Sequence, residues 1–465
     1  MDWMLIKRSL LWVLLMLGLT GCLSPLQALP SFSRQTGLSC EACHTAYPEL
    51  TAYGRNFKLN GYVETNTPEL KDPSTAEANG TTSSASTRVG SKLELNNIPA
   101  FSLMMQVSDT WLKGASANPA TPDSDKNGYL ELPCQFSVYY AGKVSPQVGA
   151  YLHATYQSVS NTFVFDNSEL RYADKFKVAD TDLVLGLTLN NNPSIQDVYN
   201  STPAWGYPYY TDKKYPSGPA VNTQLESLGQ SSGGLGLYAF WDGLVYAEIA
   251  AYRSAPAAST PSNDIQGYAP YWRVAFQQDF NPHSLEIGAF GLDEHAYPNG
   301  SAGSAATNSE DEYVDVGVDA QYQYVDSTTA LTLKGRCIWE TQNYGFSSVY
   351  ASAGNPSDNL TAFRGDATYY YDHVIGATAG YFSTTGSADA GLYASNPGNV
   401  PDSQGWVFEL NYLPWSNTKV TLQYLDFTKF NGDSSSNASF KPRRPKCSFL
   451  STTAPNIMIS PDNHR

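Results

Sequence analysis

Charge is scarce in this chain. Only 15% of its 465 residues are Asp, Glu, Lys or Arg, where soluble proteins carry about a quarter, so an ordinary hydrated exterior is hard to build. Basic residues are scarcer still: 28 Lys and Arg stand against 43 Asp and Glu, for a net charge of -15, which argues against nucleic acid as a partner. Long apolar runs are also missing. Leu10–Leu19 is too short to span a bilayer, and no later stretch has the run of about 20 apolar residues that a membrane helix needs. Cysteine is rare, with six in the chain. Cys134, Cys337 and Cys447 have no motif spacing, so neither a disulfide scaffold nor a four-cysteine metal site is indicated. No Ser-His-Asp set, phosphate-binding loop or paired-carboxylate motif stands out.

What is present is aromatic and alternating. Aromatics make up 13% of the chain, led by 32 tyrosines, a composition that suits barrels with interfacial aromatic girdles. From about residue 87 to 430 apolar and polar residues alternate in segments of about ten. In 314–322, Val314, Val316 and Val318 oppose Asp315 and Asp319; Leu183, Leu185, Leu187 and Leu189 oppose Asp182, Thr188 and Asn190. Short turns at Ser145-Pro146, Asp242-Gly243, Asn281-Pro282, Asp326-Ser327, Asp372-His373 and Pro414–Asn417 tend to alternate with long polar loops. The expected fold is all-β: a transmembrane antiparallel β-barrel of about 16 strands in a bacterial outer membrane, lipid outside and a polar lumen within.

The other segments divide as follows. Residues 1–28 read as an export signal, with Lys7-Arg8 ahead of the apolar stretch. Leu19-Thr20-Gly21-Cys22 fits a lipoprotein box and cleavage after Ala28 is the alternative; both stay open. Residues 29–64 form a compact segment with a helix expected from Pro48 to about Phe57. Residues 65–86 are a polar linker, and 88–96 is taken as the first strand. From 431 to 465 alternation stops and no terminal aromatic closes the chain, so this tail is expected to be atypical or frameshifted.

Cys40-Glu41-Ala42-Cys43-His44 is the C-x-x-C-H pattern of covalent c-type haem attachment. Two thiols three positions apart reach the two vinyl groups, and His44 follows as the proximal iron ligand. A redox dithiol or zinc half-site is the bland alternative, weakened by the absence of a second C-x-x-C. So small a segment must borrow walls from the rest of the chain. It either enters the lumen or, with Phe57–Val63 as a strand, joins the barrel; a haem within the barrel or at its periplasmic mouth is preferred. For the distal ligand, strand parity puts Met104 and His153 on the lumen face, Met104 first because Met raises the potential; His283, His295, His373 and His464 are the other downstream histidines. Arg34 and Gln35 are candidates to neutralise haem propionates. Glu310, Asp311 and Glu312 in one outer loop, and Asp123 and Asp125 in another, are oxygen donors suited to a hard cation.

Leu29-Pro30-Ser31-Phe32-Ser33-Arg34-Gln35-Thr36-Gly37, followed by Cys40-x-x-Cys43-His44 and Gly54-Arg55-Asn56-Phe57-Lys58 to Gly61-Tyr62, resembles the N-terminus of the fused outer-membrane monohaem cytochrome–porins of iron-oxidising bacteria. Ser33 stands where that family usually has Ala. The stretches 190–197 and 200–205 also resemble it; the C-terminus does not. The resemblance implies an Fe(II)-oxidising oxidoreductase in which one haem c takes electrons from extracellular Fe(II) and passes them to a periplasmic cytochrome or cupredoxin. Two rival readings remain: a haem-plugged channel or sensor without turnover, and a conduit for a different extracellular donor or acceptor.

Overall fold

The computed structural model describes residues 31–64, 87–89, 93–95, 100–113, 129–158, 161–202, 221–229, 232–255, 263–298, 309–350, 353–415, 418–434 and 444–452. The export signal with Cys22, the linker 65–86, and Asp123 and Asp125 lie outside them.

Among the described residues one antiparallel sheet closes on itself. It has nineteen strand segments. Three of these, Thr162–Phe165, Asn263–Ile265 and Asp433–Ser434, only extend a longer neighbour, which leaves sixteen staves. They are β1 (Phe101–Lys113), β2 (Tyr129–Ser145), β3 (Val148–Gln157), β4 (Glu169–Val178), β5 (Thr181–Asn190), β6 (Ser232–Trp241), β7 (Val245–Ser254) and β8 (Ala269–Phe280), then β9 (His283–Pro298), β10 (Asp311–Val325), β11 (Thr329–Tyr344), β12 (Ser357–Tyr371), β13 (Ile375–Gly386), β14 (Ser403–Trp415), β15 (Thr418–Phe430) and β16 (Arg444–Thr452).

Period-2 alternation builds this wall because one side meets lipid and the other a filled lumen. On β5, Leu185, Leu187 and Leu189 are exposed while Thr188 and Asn190 are buried; on β10, Val316 and Val318 are exposed while Asp315 and Asp319 are buried. Exposed aromatics stand at two levels of the exterior: Trp241, Phe280 and Tyr371 beside short turns, and Trp272, Trp339 and Trp406 towards the long loops. An apolar band between two aromatic girdles on a closed barrel is the exterior of an outer-membrane protein, and short turns mark its periplasmic end. No helix among the described residues is long and apolar enough to cross a membrane.

Two boundaries differ from the sequence reading. Thr87–Val89 and Leu93–Leu95 pair only with each other, so the expected first strand at 88–96 is a separate hairpin and the barrel begins at Phe101. At the other end, 444–452 pairs with β15 on one side and β1 on the other. Part of the tail read as lying outside the barrel is thus its closing stave. With Pro445 and Lys446 in it, the stave lacks the apolar–polar rhythm by which the others are recognised.

The lumen is occupied. Helices α1 (Ser31–Thr36), α2 (Cys40–Cys43) and α3 (Ala52–Leu59) come from the N-terminal segment. α3 starts later than expected because Thr51, not the turn at Pro48, caps it, its Oγ1 accepting from Gly54 N at 3.1 Å. From the far end, the chain after β5 turns inward through the short helix α4 (Pro193–Gln196). A second inward turn, α5 (Gln224–Ser227), sets Glu226 against Arg336 and Arg364 of the wall.

Candidate functional site

The N-terminal segment is fastened into the lumen by cations rather than by apolar packing alone. Arg55 is fully buried. Its guanidinium donates to Gln277 Oε1 at 2.9 Å, Gln323 Oε1 at 2.9 Å and Ser284 Oγ at 2.7 Å, on three staves, and to the Leu50 carbonyl at 3.0 Å. Lys58 Nζ lies 3.4 Å from Glu169 Oε1 of β4 and donates to the Ile195 carbonyl of the inward turn. Glu49 accepts from Lys334 at 2.7 Å and from Asn200 at 2.8 Å. Tyr62 donates to Glu169, and Tyr238 donates to the Leu59 carbonyl at 2.7 Å. These partners are as polar as the lumen wall, so the plug satisfies groups the barrel alone would leave to water.

Beneath this plug is a cavity of about 560 Å³, within the range that holds a ligand of drug size, roughly 300–1,000 Å³. Cys40, Cys43 and His44 all line it. α1 and α3 bring Phe32, Phe57 and Tyr62 to one wall; Phe32 stacks on Tyr62 with centroids 5.1 Å apart and meets Phe57 edge-on at 5.2 Å. Tyr139 and Met104 come from β2 and β1, with the Tyr139 hydroxyl 3.6 Å from Met104 Sδ. Ser194, Ile195 and Asp197 of the inward turn cover the side facing the long loops. The opposite side reaches the short-turn rim, where Asp372, His373 and Pro414 line it. The cavity therefore lies at the periplasmic mouth.

α2 ends in His44, where the chain becomes a short strand, His44–Ala46, and Thr45 is held by Thr332 of β11 through their hydroxyls at 2.9 Å. Burial holds the His44 imidazole below its ordinary pKa, so the ring is neutral and able to donate a lone pair. Its Nδ1 is buried without a hydrogen bond. Burial, then the charges of Cys40 and Glu64, pushes the Cys43 thiol up to about 11; burial also raises Cys40. α3 packs directly on the motif: a Cβ at Gly54 would stand 2.2 Å from the Cys43 carbonyl oxygen. Gly54→Val should push Cys43 and His44 out of register, with cavity ligand binding lost while β-sheet content by circular dichroism is kept.

Four residues singled out from the sequence have other places. Arg34 donates to the Phe101 carbonyl at 2.5 Å, and Gln35 bonds the Tyr62 carbonyl at 2.6 Å and the Lys143 N–H at 2.8 Å. Neither lines the cavity; both tie α1 to the barrel wall. His153 faces the lumen as parity requires, yet it is stacked on Tyr139 at 4.2 Å, with Nε2 2.5 Å from Thr155 Oγ1 and Nδ1 3.5 Å from Asp166, and it is not in the cavity wall. Asp311 turns inward to cap the loop at Phe346 and Ser347, away from Glu312. Among the described residues, Met104 and His373 are the two downstream of the motif that bring a Met or His side chain to the cavity wall. Arg55, Lys58 and the stretch 190–197 stand out in the sequence through the family resemblance, but nothing local there shows which wall residues they meet.

No family model matches the chain, and neither does any curated protein sequence. Among solved structures it is similar to outer-membrane porins. OmpF of Salmonella typhi, solved with daunomycin, gives a TM-score of 0.46 at 12% identity over 78% of this chain and 98% of that one. The channel DcaP of Acinetobacter baumannii gives 0.45 at 11% identity over 79% and 99%, and OmpT of Vibrio cholerae 0.41 at 12% over 76% and 93%.

Proposed function

We propose that this outer-membrane barrel is a c-type cytochrome that takes electrons from extracellular Fe(II) and passes them to a periplasmic cytochrome or cupredoxin. The observation that carries the reading is the placement of both thiols and the imidazole of Cys40-x-x-Cys43-His44 on one cavity at the periplasmic mouth, with Phe32, Phe57 and Tyr62 on one wall. The donor set fits a covalent haem: two thiols for thioethers, a neutral imidazole for the iron, and a volume adequate for a large flat ligand. When bound, a c-type haem supplies one-electron chemistry at its iron.

The chain's own residues do the rest. Cys40 and Cys43 would hold the group against loss, and His44 would supply an imidazole nitrogen to its iron. Phe32, Phe57 and Tyr62 make one wall of the cavity aromatic, and lower polarity around an iron centre raises its potential. Ser194 to Asp197 separate the cavity from the long-loop end, while the short-turn rim leaves a path for a carrier to approach. Each Fe(II) yields one electron and becomes Fe(III), and the carrier is reduced by one. Keeping Fe(III) outside matters because it precipitates away from strong acid, and an electron is the one product that need cross the ~30 Å hydrocarbon layer.

In this reading Met104 would supply a second, sulfur ligand to the iron, since it lines the cavity and His153 does not. Met104→Leu should lower the reduction potential by on the order of 100 mV, a fraction of the roughly 0.8 V that axial ligands command. An unchanged potential and spectrum would remove Met104 and leave His373.

Mixing the purified protein with Fe(II) at the organism's working pH tests the function. Rapid reduction of the c-type absorbance bands is expected. Bands unmoved by iron, in a protein that conducts ions in bilayers, would instead indicate a haem-plugged channel.

A further inference from the structure

We infer that the outer rim carries a binding site for one divalent first-row transition-metal cation, formed by Asp293, His295 and Glu312. The site is remote from the cavity and stands whether or not a haem is bound there. Asp293 and His295 are two apart on β9 and so share its outward face, and Glu312 of β10 is the direct cross-strand partner of His295. They sit beyond the last apolar outward residues, on the long-loop side of Val314 and Val316, where the wall leaves the lipid for external solution.

The donor atoms converge. Asp293 Oδ1 lies 3.8 Å and Glu312 Oε1 3.7 Å from the same nitrogen, His295 Nε2, and the three ligand atoms lie within 4.8 Å of one another. These separations exceed a hydrogen bond. Bonds of about 2.1 Å to a shared ion place tetrahedral donors roughly 3.4 Å apart, so the two separations from His295 Nε2 need shorten by a few tenths of an ångström, and the two carboxylate oxygens, within 4.8 Å of each other, close by side-chain rotation.

Asp293 Oδ1 is shielded from solvent and makes no hydrogen bond; the rest of its side chain is half-exposed, and this oxygen faces His295 Nε2, so it is aimed at the point where an ion would sit. The outer supports are also in place. Glu310 Oε1 is 3.0 Å from His295 Nδ1, and Asn343 Nδ2 donates to Glu312 Oε2 at 2.8 Å. A carboxylate behind the imidazole fixes the tautomer that leaves Nε2 free for a metal. One imidazole with two carboxylates favours Zn²⁺, Mn²⁺ or Fe²⁺ over the all-oxygen preference of Ca²⁺ and Mg²⁺.

The test is isothermal titration of the folded, detergent-solubilised full chain with Zn²⁺, with folding of each variant checked by circular dichroism. The expected result is one equivalent more bound by the parent than by His295→Ala. Glu310→Gln should bind about 10–100-fold more weakly, the usual cost of removing a metal ligand's outer support, while His283→Ala, at the opposite end of β9, should bind as the parent does. Titration curves that coincide for the parent and His295→Ala, or no Zn²⁺ binding by the parent, would overturn the assignment. Neither result depends on the Fe(II) oxidation test, which reads the haem bands.

Discussion

Replacing Arg55 and Lys58 together by alanine should convert a nearly closed barrel into a conducting one. Arg55 bridges β8, β9 and β10 to the plug, and Lys58 bridges the plug to β4 and to the inward turn. Removing one partner of a buried charged contact costs about 3–5 kcal/mol, because the groups left behind stay buried and unpaired. Here the Gln277 and Gln323 amide oxygens and the Leu50 carbonyl would lose the Arg55 donor, and the Ile195 carbonyl would lose Lys58, while Glu169 keeps Arg171 and Tyr62; water entering the lumen is the simplest relief for the acceptors left behind. Single-channel recordings should show low conductance for the parent and a several-fold rise for the double variant, with the barrel intact by circular dichroism. Equal conductance would mean that the plug is held by its aromatic contacts alone.

The second large effect concerns the motif. Cys40→Ser with Cys43→Ser should abolish covalently attached haem while the barrel still forms, because the hydrogen bond seen for these thiols among the described residues is long, Cys40 Sγ to the Ser33 hydroxyl at 3.9 Å, and a serine hydroxyl can replace it. Haem staining of denatured protein on a gel reads the outcome. A stained band from the double variant would place the attachment elsewhere.

These expectations rest on features that differ in how far the chain displays them locally. The barrel was legible because lipid on one face and a polar filling on the other impose alternation residue by residue, as Asp315, Val316, Val318 and Asp319 display. The same parity placed Met104 and His153 on the lumen side. It could not tell them apart, since depth along the barrel and the neighbours found there are set by strands distant in sequence. Thr155 and Asp166 claim His153, whereas Met104 stays on the cavity. Arg34 and Gln35 sit beside the motif in sequence, but α1 turns them outward to the wall. The closing stave 444–452 escaped notice because it lacks alternation; only its pairing with β15 and β1 reveals it. The inward turn after β5 falls in a stretch that shares the family resemblance, yet its place over the cavity depends on contacts with Lys58 and Glu49 across the lumen.

The central claim is a single haem fixed covalently at the periplasmic mouth of a closed barrel, and haem content per chain tests it most directly. Mature protein from cells competent in cytochrome c maturation, denatured and extracted with acidified acetone, should retain one haem per polypeptide in the pyridine haemochrome spectrum. A colourless polypeptide, with any haem passing into the solvent, would contradict the account.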